Sequence, residues 1–194
     1  MRGAARDLTS SVAVREVLRY PDPALKRVAP PVPVQRDGRP DEAAARVAAD
    51  VLDTMRAFPG CVGLAAPQLD EPLRIVVVDV TAHRKTTACH GELVLVNPAI
   101  VATSGSEIAR EGCLSIPELT ANVRRALAIT LTAITPDGAP VRIETEGFEA
   151  RCLQHELDHL DGVLFLDRVQ SLTDDVFRRK SGRRRPGADE PRQD

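Results

Sequence analysis

Apolar residues recur with the period of a helix in two parts of the chain. Between residues 41 and 58 the apolar positions fall on one face, and Pro59-Gly60 ends the pattern; the face comprises Val47, Val51, Leu52, Met55 and Phe58. From about 147 to 160 there are two apolar stripes, one with Phe148 and Cys152 and another with Leu153, Leu157 and Leu160. The pattern predicts an amphipathic helix over 41–58 and a helix covered on both sides over about 147–160.

Other segments are rich in β-branched residues and indicate strands. Residues 73–80, LRIVVVDV, predict a buried strand. Further strands are predicted near 92–96, 98–103 and 126–135, and the turn sequence Thr135-Pro136-Asp137-Gly138 leads into another at 141–146. We therefore expect an α+β fold: a single domain with a strand-rich body wrapped around one central helix.

Length and composition agree with one domain and suggest its limits. The chain has 194 residues, 43% of them hydrophobic, which is enough to bury a sizeable core. Aromatic residues make up only 3%, so Ala, Val, Leu and Ile must fill that core. We expect a flexible N-terminal extension over 1–13, a catalytic domain over 14–170, and a short helix followed by a basic disordered tail over 171–194.

Charge is nearly balanced overall but not locally. The net charge of −2 gives no general attraction to DNA. Basic residues crowd near the C-terminus, namely Arg178, Arg179, Lys180, Arg183, Arg184 and Arg185. Two interpretations stay open: the tail contacts ribosomal RNA, or it is a solvated disordered segment.

Cysteine usage and hydropathy suggest a reducing compartment. The chain has four cysteines, with no CxxC pair among them. The first residues form no apolar run that resembles a signal peptide, and no segment approaches the roughly 18 apolar residues that span a bilayer. We expect a cytoplasmic protein without a membrane partner.

The segment Gln154-His155-Glu156-Leu157-Asp158-His159 carries the strongest chemical signal. Histidines four apart on a helix project to one side and can bind one metal ion. A glutamate beside the first histidine can take a proton from water in metal-assisted hydrolysis. Taken alone, His155 and His159 could equally be core histidines satisfied by hydrogen bonds.

Two more segments complete the pattern. In Glu111-Gly112-Cys113-Leu114-Ser115, a Cys113 thiolate would add a third ligand and leave a position open for water or substrate. In Cys61-Val62-Gly63-Leu64-Ala65-Ala66-Pro67-Gln68, small residues let the backbone approach a ligand, and the segment ends in an amide donor. Taken singly, Cys113 could be a buried apolar residue and Gln68 a loop residue.

Together the three segments resemble the peptide deformylases, which remove the formyl group from the N-terminal methionine of new bacterial and organellar proteins. They match the motifs GxGLAAxQ, EGCLS and QHExDH in the family's order. The resemblance extends to residues 14–32 and to 161–165, and so covers most of residues 14–168.

The resemblance implies a role for each matching residue. Cys113, His155 and His159 would bind one divalent metal ion, Fe²⁺ in cells, with Zn²⁺, Ni²⁺ or Co²⁺ in purified protein. Metal-bound water would attack the formyl carbon of an N-formyl-methionyl peptide, releasing formate, with Glu156 as general base and acid. Gln68 and the backbone N–H of Leu114 would hold the oxyanion. The methionine pocket would be lined by residues such as Val62, Gly63, Phe148 and Cys152.

Two positions depart from the family pattern. Cys61 stands where many members have the first glycine of the GxGLAAxQ segment. Thr120 stands where many members carry an arginine that contacts the substrate backbone, whereas here Arg124 and Arg125 come later. These departures bear on substrate preference more than on the reaction.

Two other functions remain open on the sequence alone. A zinc endopeptidase would share the His-Glu-x-x-His helix, but the cysteine ligand and the oxyanion glutamine argue against it. A catalytically silent homologue that binds ribosomes through its tail is the second alternative. The intact set of Cys113, His155, Glu156 and His159 argues against that one.

Overall fold

The computed structural model describes residues 14–179 and contains three α-helices and eight strands within that range. The helices are α1 (Glu42–Ala57), α2 (Gly147–Leu160) and the short α3 (Leu172–Asp175). The strands are β1 (Gly63–Ala65), β2 (Ile75–Val78), β3 (Leu93–Ser104), β4 (Glu107–Cys113), β5 (Ile116–Arg125), β6 (Ala128–Ile134), β7 (Pro140–Glu146) and β8 (Val176–Arg178).

The strands form two antiparallel sheets. The larger sheet has five strands in the order β1-β2-β3-β6-β7. The smaller sheet has three strands in the order β4-β5-β8. Helix α2 follows β7 in the chain and so leads from the larger sheet into the interior.

Strand β2 explains how the two long helices are placed. All four of its residues are buried, and its side chains alternate between two apolar clusters. Val76 and Val78 pack with residues of α2, whereas Ile75 and Val77 pack with residues of α1. A strand buried on both faces needs a continuous apolar run, which is why IVVV stands out in the sequence.

Helix α2 is buried on most of its circumference, as its two apolar stripes predict. Leu153 and Leu160 are fully buried against the larger sheet, and His159 is also buried. The prediction of an α+β fold wrapped around one central helix is confirmed. Helix α1 is likewise confirmed, and its N-terminus is capped by Asp41, whose carboxylate accepts a hydrogen bond from the Ala44 N–H.

One strand prediction is wrong in detail. The segments 92–96 and 98–103 form the single strand β3, with a register shift between Val96 and Ala99. Asn97 lies at this irregularity with a φ of 52°, and its side-chain amide pairs with both backbone groups of Val32. The Asn97-Pro98 pair therefore marks a bulge within one strand and not a break between two strands.

The other domain predictions concern the two ends of the chain. Residues 1–13, assigned to an N-terminal extension, and 180–194, which include most of the basic tail, lie outside the described residues. Arg178 ends β8, a strand that the sequence does not predict, and Arg179 follows it. Within residues 14–179, no helix is both long enough and apolar enough to cross a membrane.

Candidate metal centre and active-site cleft

Three potential metal ligands come together where β4 meets α2. Cys113 ends β4, and His155 and His159 lie one turn apart on α2. Their ligand atoms all lie within 4.8 Å of one another, and Cys113 Sγ is 3.3 Å from His159 Nε2. The two imidazole rings meet edge to face with centroids 5.1 Å apart. Two imidazoles and one sulfur in this arrangement can hold one metal ion.

The protonation of these side chains suits metal binding. Burial opposes ionisation of the Cys113 thiol, but the imidazoles of His159 and His155 more than offset it, so the pKa of this thiol lies well below its usual range. A cysteine ligates metal as the thiolate. The donor set therefore fits a divalent transition metal of the kind that imidazole and thiolate prefer.

A buried network of charges orients His155. The Nδ1 of His155 lies 2.9 Å from Glu111 Oε2, which leaves Nε2 as the nitrogen available to a metal. Both oxygens of Glu111 accept hydrogen bonds from Arg125, at 2.9 and 3.0 Å, and Arg125 Nη1 donates to Asp158 at 2.6 Å. Arg168 also donates to Asp158. The network joins β4, β5 and α2 around one metal ligand.

Glu156 lies beside the cluster and is closely packed against Gly63. A Cβ at position 63 would lie 2.6 Å from Glu156 Oε1, so only glycine leaves room for this carboxyl group. Glu156 Oε2 is buried and has no hydrogen-bond partner among residues 14–179. Burial raises the pKa of Glu156 to about 7. A carboxyl group with this pKa can both accept and release a proton near neutral pH.

The side-chain amide of Gln68 is held with its N–H groups toward the cluster. Its Oε1 accepts a hydrogen bond from the Ala65 N–H at 3.0 Å. Its Nε2 donates to Ser115 Oγ at 3.0 Å and lies 3.4 Å from Cys113 Sγ. Gln68 is almost fully buried, so the amide is fixed in this orientation. Leu114 lies in the turn between β4 and β5 and lines the same cleft as Gln68.

A cleft of about 190 Å³ opens onto this cluster. The cleft is lined by Val62, Gly63, Phe148 and Cys152, the residues that the resemblance assigns to a methionine pocket, and also by Leu114. Arg151 also lines the cleft; it is buried, its guanidinium lies 5.0 Å from the Phe148 ring centroid, and it is paired with Glu107. The His83 ring stacks on the Phe148 ring with their centroids 4.1 Å apart, a contact that the sequence does not predict.

Cys61 also lines the cleft but is poorly suited to react. Its Sγ lies 3.1 Å from the Gly63 carbonyl oxygen, and burial raises the pKa of the thiol to about 12. The thiol is therefore neutral at physiological pH.

The sequence predicts the candidate ligands, catalytic residues and cleft residues more completely than the hydrogen-bond partners that orient them. The structure brings together all the predicted ligands, catalytic residues and pocket residues. Glu111 as the partner of His155 and Ser115 as the partner of Gln68 were missed; both lie within the EGCLS segment, and an orienting acceptor or hydroxyl next to a metal ligand is the signal that could have found them.

Comparison with known proteins agrees with the geometry. A family model described as polypeptide deformylase matches residues 14–175. The chain is 39% identical over 173 residues to the peptide deformylase of Nitrosococcus oceani, covering 89% of this chain and 97% of the relative.

Solved structures show the same similarity. A peptide deformylase from Legionella pneumophila is 40% identical with a TM-score of 0.71, over 82% of this chain and 88% of the other. A class I type b peptide deformylase from Acinetobacter baumannii with Met-Ala-Ser bound is 31% identical with a TM-score of 0.72, over 82% of this chain and all of the other. The chain belongs to the peptide deformylase family.

Proposed function

We propose that this protein hydrolyses the formyl group of N-formyl-methionyl peptides with Cys113, His155 and His159 as the ligands of one divalent metal ion. The observation that carries the proposal is the cluster of these three side chains at the base of a cleft, beside the buried carboxyl group of Glu156. Family membership supports the reaction, and the donor set supports the ligands.

The metal, when bound, supplies a Lewis acid that polarises the formyl oxygen and lowers the pKa of water toward neutrality. Two imidazoles and a thiolate suit Fe²⁺, and also Zn²⁺, Ni²⁺ and Co²⁺. We propose Fe²⁺ as the ion in cells, as the resemblance implies.

Glu156 acts as the general base and then as the general acid. It removes a proton from the water that attacks the formyl carbon and transfers this proton to the amine that leaves. Its burial and the absence of a partner for Oε2 among the described residues keep the carboxyl available for both steps. Gly63 keeps the backbone from crowding this group.

Gln68 and the backbone N–H of Leu114 stabilise the negative oxygen that develops on the formyl carbon. The Gln68 amide is oriented in advance by Ala65 and Ser115, so it needs no rearrangement during the reaction. Val62, Phe148 and Cys152 offer an apolar surface for the methionine side chain, with Gly63 completing the wall. The Met-Ala-Ser bound to the Acinetobacter baumannii enzyme supports a peptide in the cleft.

A comparison of metal content and turnover tests the ligand assignment. We expect that His159→Ala and Cys113→Ala lose both the bound metal and formate release from formyl-Met-Ala-Ser. The matched control is Cys89→Ala, which removes a thiol outside the cleft and should retain both. Retention of a full equivalent of metal by Cys113→Ala would contradict the assignment, and cleavage of internal peptide bonds by the wild type would favour an endopeptidase.

We further propose a cytoplasmic location and a ribosome contact. None of the four cysteines is paired in a disulfide, which agrees with a reducing compartment. The basic run from Lys180 to Arg185 could bind ribosomal RNA by neutralising its phosphates. Co-sedimentation with ribosomes, compared between the full chain and a chain ending at residue 179, tests the contact; equal sedimentation would contradict it.

A further inference from the structure

Arg179 is held at the edge of the smaller sheet, next to the cleft. Strand β8 pairs with β5, with Phe177 opposite Thr120, and the Arg179 N–H then donates to the Glu118 carbonyl oxygen at 2.7 Å. The Arg110 guanidinium covers the Phe177 ring at 3.5 Å and thereby braces the strand. The backbone at Arg179 is therefore fixed against β5 by hydrogen bonds and packing.

The Arg179 side chain crosses over the residue that precedes Cys113. A Cβ at Gly112 would lie 2.2 Å from Arg179 Nη2, so the guanidinium rests directly on the Gly112 backbone. The methyl group of Thr120 borders the same space, 3.3 Å from that Cβ position. The short Thr120 side chain and the absence of a side chain at Gly112 thus make room for Arg179 in the cleft wall.

The charge of Arg179 is not neutralised within residues 14–179. No carboxylate in that range lies within ion-pair distance of its guanidinium, and the guanidinium donates no hydrogen bond there. The other arginine that lines the cleft, Arg151, is paired with Glu107 at 3.1 Å. Arg179 therefore offers several N–H donors and a positive charge to whatever enters the cleft.

The position of Arg179 indicates which part of a peptide it would meet. Cys113 and Cys152 are buried at the inner end of the cleft, whereas Arg179 is exposed. The reacting bond and the methionine side chain belong at the inner end, so the residues that follow the methionine leave the cleft past its outer end. The groups that such residues always carry are carbonyl oxygens, and a short peptide adds a terminal carboxylate.

We propose that Arg179 is a substrate-binding residue that donates hydrogen bonds to a peptide oxygen beyond the first residue of the substrate. The inference rests on the proposed deformylase function and adds to it a contact from the C-terminal strand. The acceptor is either a backbone carbonyl or the terminal carboxylate, which share the same donor requirement. Arginine suits both because its planar fork can donate two parallel hydrogen bonds.

The kinetic constants of Arg179→Ala test this contact. A hydrogen bond to a charged group is worth about 1.5 to 3 kcal/mol, so we expect KM for formyl-Met-Ala-Ser to rise about tenfold or more while kcat changes little. KM for formyl-methionine amide, which has no further residue, should not change. Arg179→Lys should recover part of the loss, because it keeps the charge without the fork.

Controls separate the contact from other effects. Arg178→Ala removes the same charge one residue earlier, outside the cleft lining, and should leave KM unchanged. A melting temperature equal to that of the wild type in both variants would show that neither substitution disturbs the packing of β8. A loss confined to the free acid of formyl-Met-Ala-Ser identifies the terminal carboxylate, and an equal loss for its amide identifies a backbone carbonyl.

Two results would overturn the proposal. One is an unchanged KM for formyl-Met-Ala-Ser in Arg179→Ala, with turnover by the wild type intact; this would leave the deformylase function standing. The other is an equal rise in KM for formyl-methionine amide, which would place the effect at the first residue. Absence of formate release by metal-loaded wild type would overturn the proposed function and this contact together.

Discussion

Glu156 can occupy its position beside the cluster only because residue 63 is a glycine. Any Cβ there would meet the carboxyl oxygen at 2.6 Å, and the carboxyl belongs to the middle of a packed helix. We expect Gly63→Ala to displace the Glu156 carboxyl and lower kcat about 100-fold, because small displacements of a catalytic group have effects of this size. Steady-state kinetics with a metal analysis checks this; wild-type kcat with full metal content would contradict it.

Gln68 contributes its N–H donors only if its amide stays oriented. We expect Gln68→Ala to lower kcat about 100- to 1,000-fold, the usual effect of losing one oxyanion donor. Ser115→Ala is the matched control, since it removes the orienting hydroxyl but keeps the donor, and it should cause a smaller loss. Equal losses in the two variants, measured as formate release, would contradict a direct role for the amide.

At the scale of elements, β4, β5 and α2 are joined by buried charges. Arg125 is almost fully buried between Glu111 and Asp158, and removal of one partner leaves the others uncompensated. We expect Arg125→Met to lower the free energy of unfolding by about 3 to 5 kcal/mol. Metal affinity should also fall about 10- to 100-fold, because Glu111 would no longer be held against His155.

Denaturant unfolding and metal titration measure the two effects. The matched control is Arg142→Met, which breaks an exposed pair with Glu144 on β7 and should change stability by less than about 0.5 kcal/mol. A stability loss in Arg125→Met without any change in metal affinity would show that the network supports the fold alone.

The same elements show what could be predicted from the sequence. Helix α2 and strand β2 were predicted because their buried faces are continuous apolar runs or stripes. Strands β4 and β5 were missed because charged residues occupy buried positions in them, including Glu111 and Arg125. Their burial depends on pairing with each other and with Asp158, which a pattern of single residues cannot reveal.

In the site, too, local features could be predicted from the sequence and long-range contacts could not. The spacing of His155 and His159 on one helix is a local property, so it could be predicted directly. The contacts of Glu111 with His155 and of Ser115 with Gln68 join residues 44 and 47 positions apart. Such contacts depend on how β4 and the turn after it pack against α2 and against the segment Ala66–Leu69, and the motifs themselves do not encode this packing.

For the whole molecule, the metal would connect the smaller sheet to the central helix. Cys113 belongs to β4, and the two histidines belong to α2. A ligand that binds only the folded state, at a free concentration about 100 times its Kd, raises the free energy of unfolding by about 2.7 kcal/mol. In a chain of this length, each kcal/mol typically shifts Tm by about 2 to 4 °C. We therefore expect chelation to lower Tm by roughly 5 to 10 °C.

Differential scanning calorimetry before and after chelation measures this change. Reloading with metal should restore the original Tm, and the Tm of Cys113→Ala should not respond to either treatment. An identical Tm for the chelated and the reloaded wild type would contradict a stabilising metal link between the smaller sheet and α2.

The most direct test of the account is formate release from formyl-Met-Ala-Ser by iron-loaded protein under anaerobic conditions, with the wild type compared to Glu156→Ala. We expect turnover by the wild type and a loss of about 100- to 10,000-fold in the variant with its metal still bound, the range that general acid–base catalysis contributes. Turnover by Glu156→Ala at the wild-type rate would contradict the role of Glu156. No formate from fully metallated wild type would contradict the deformylase function itself.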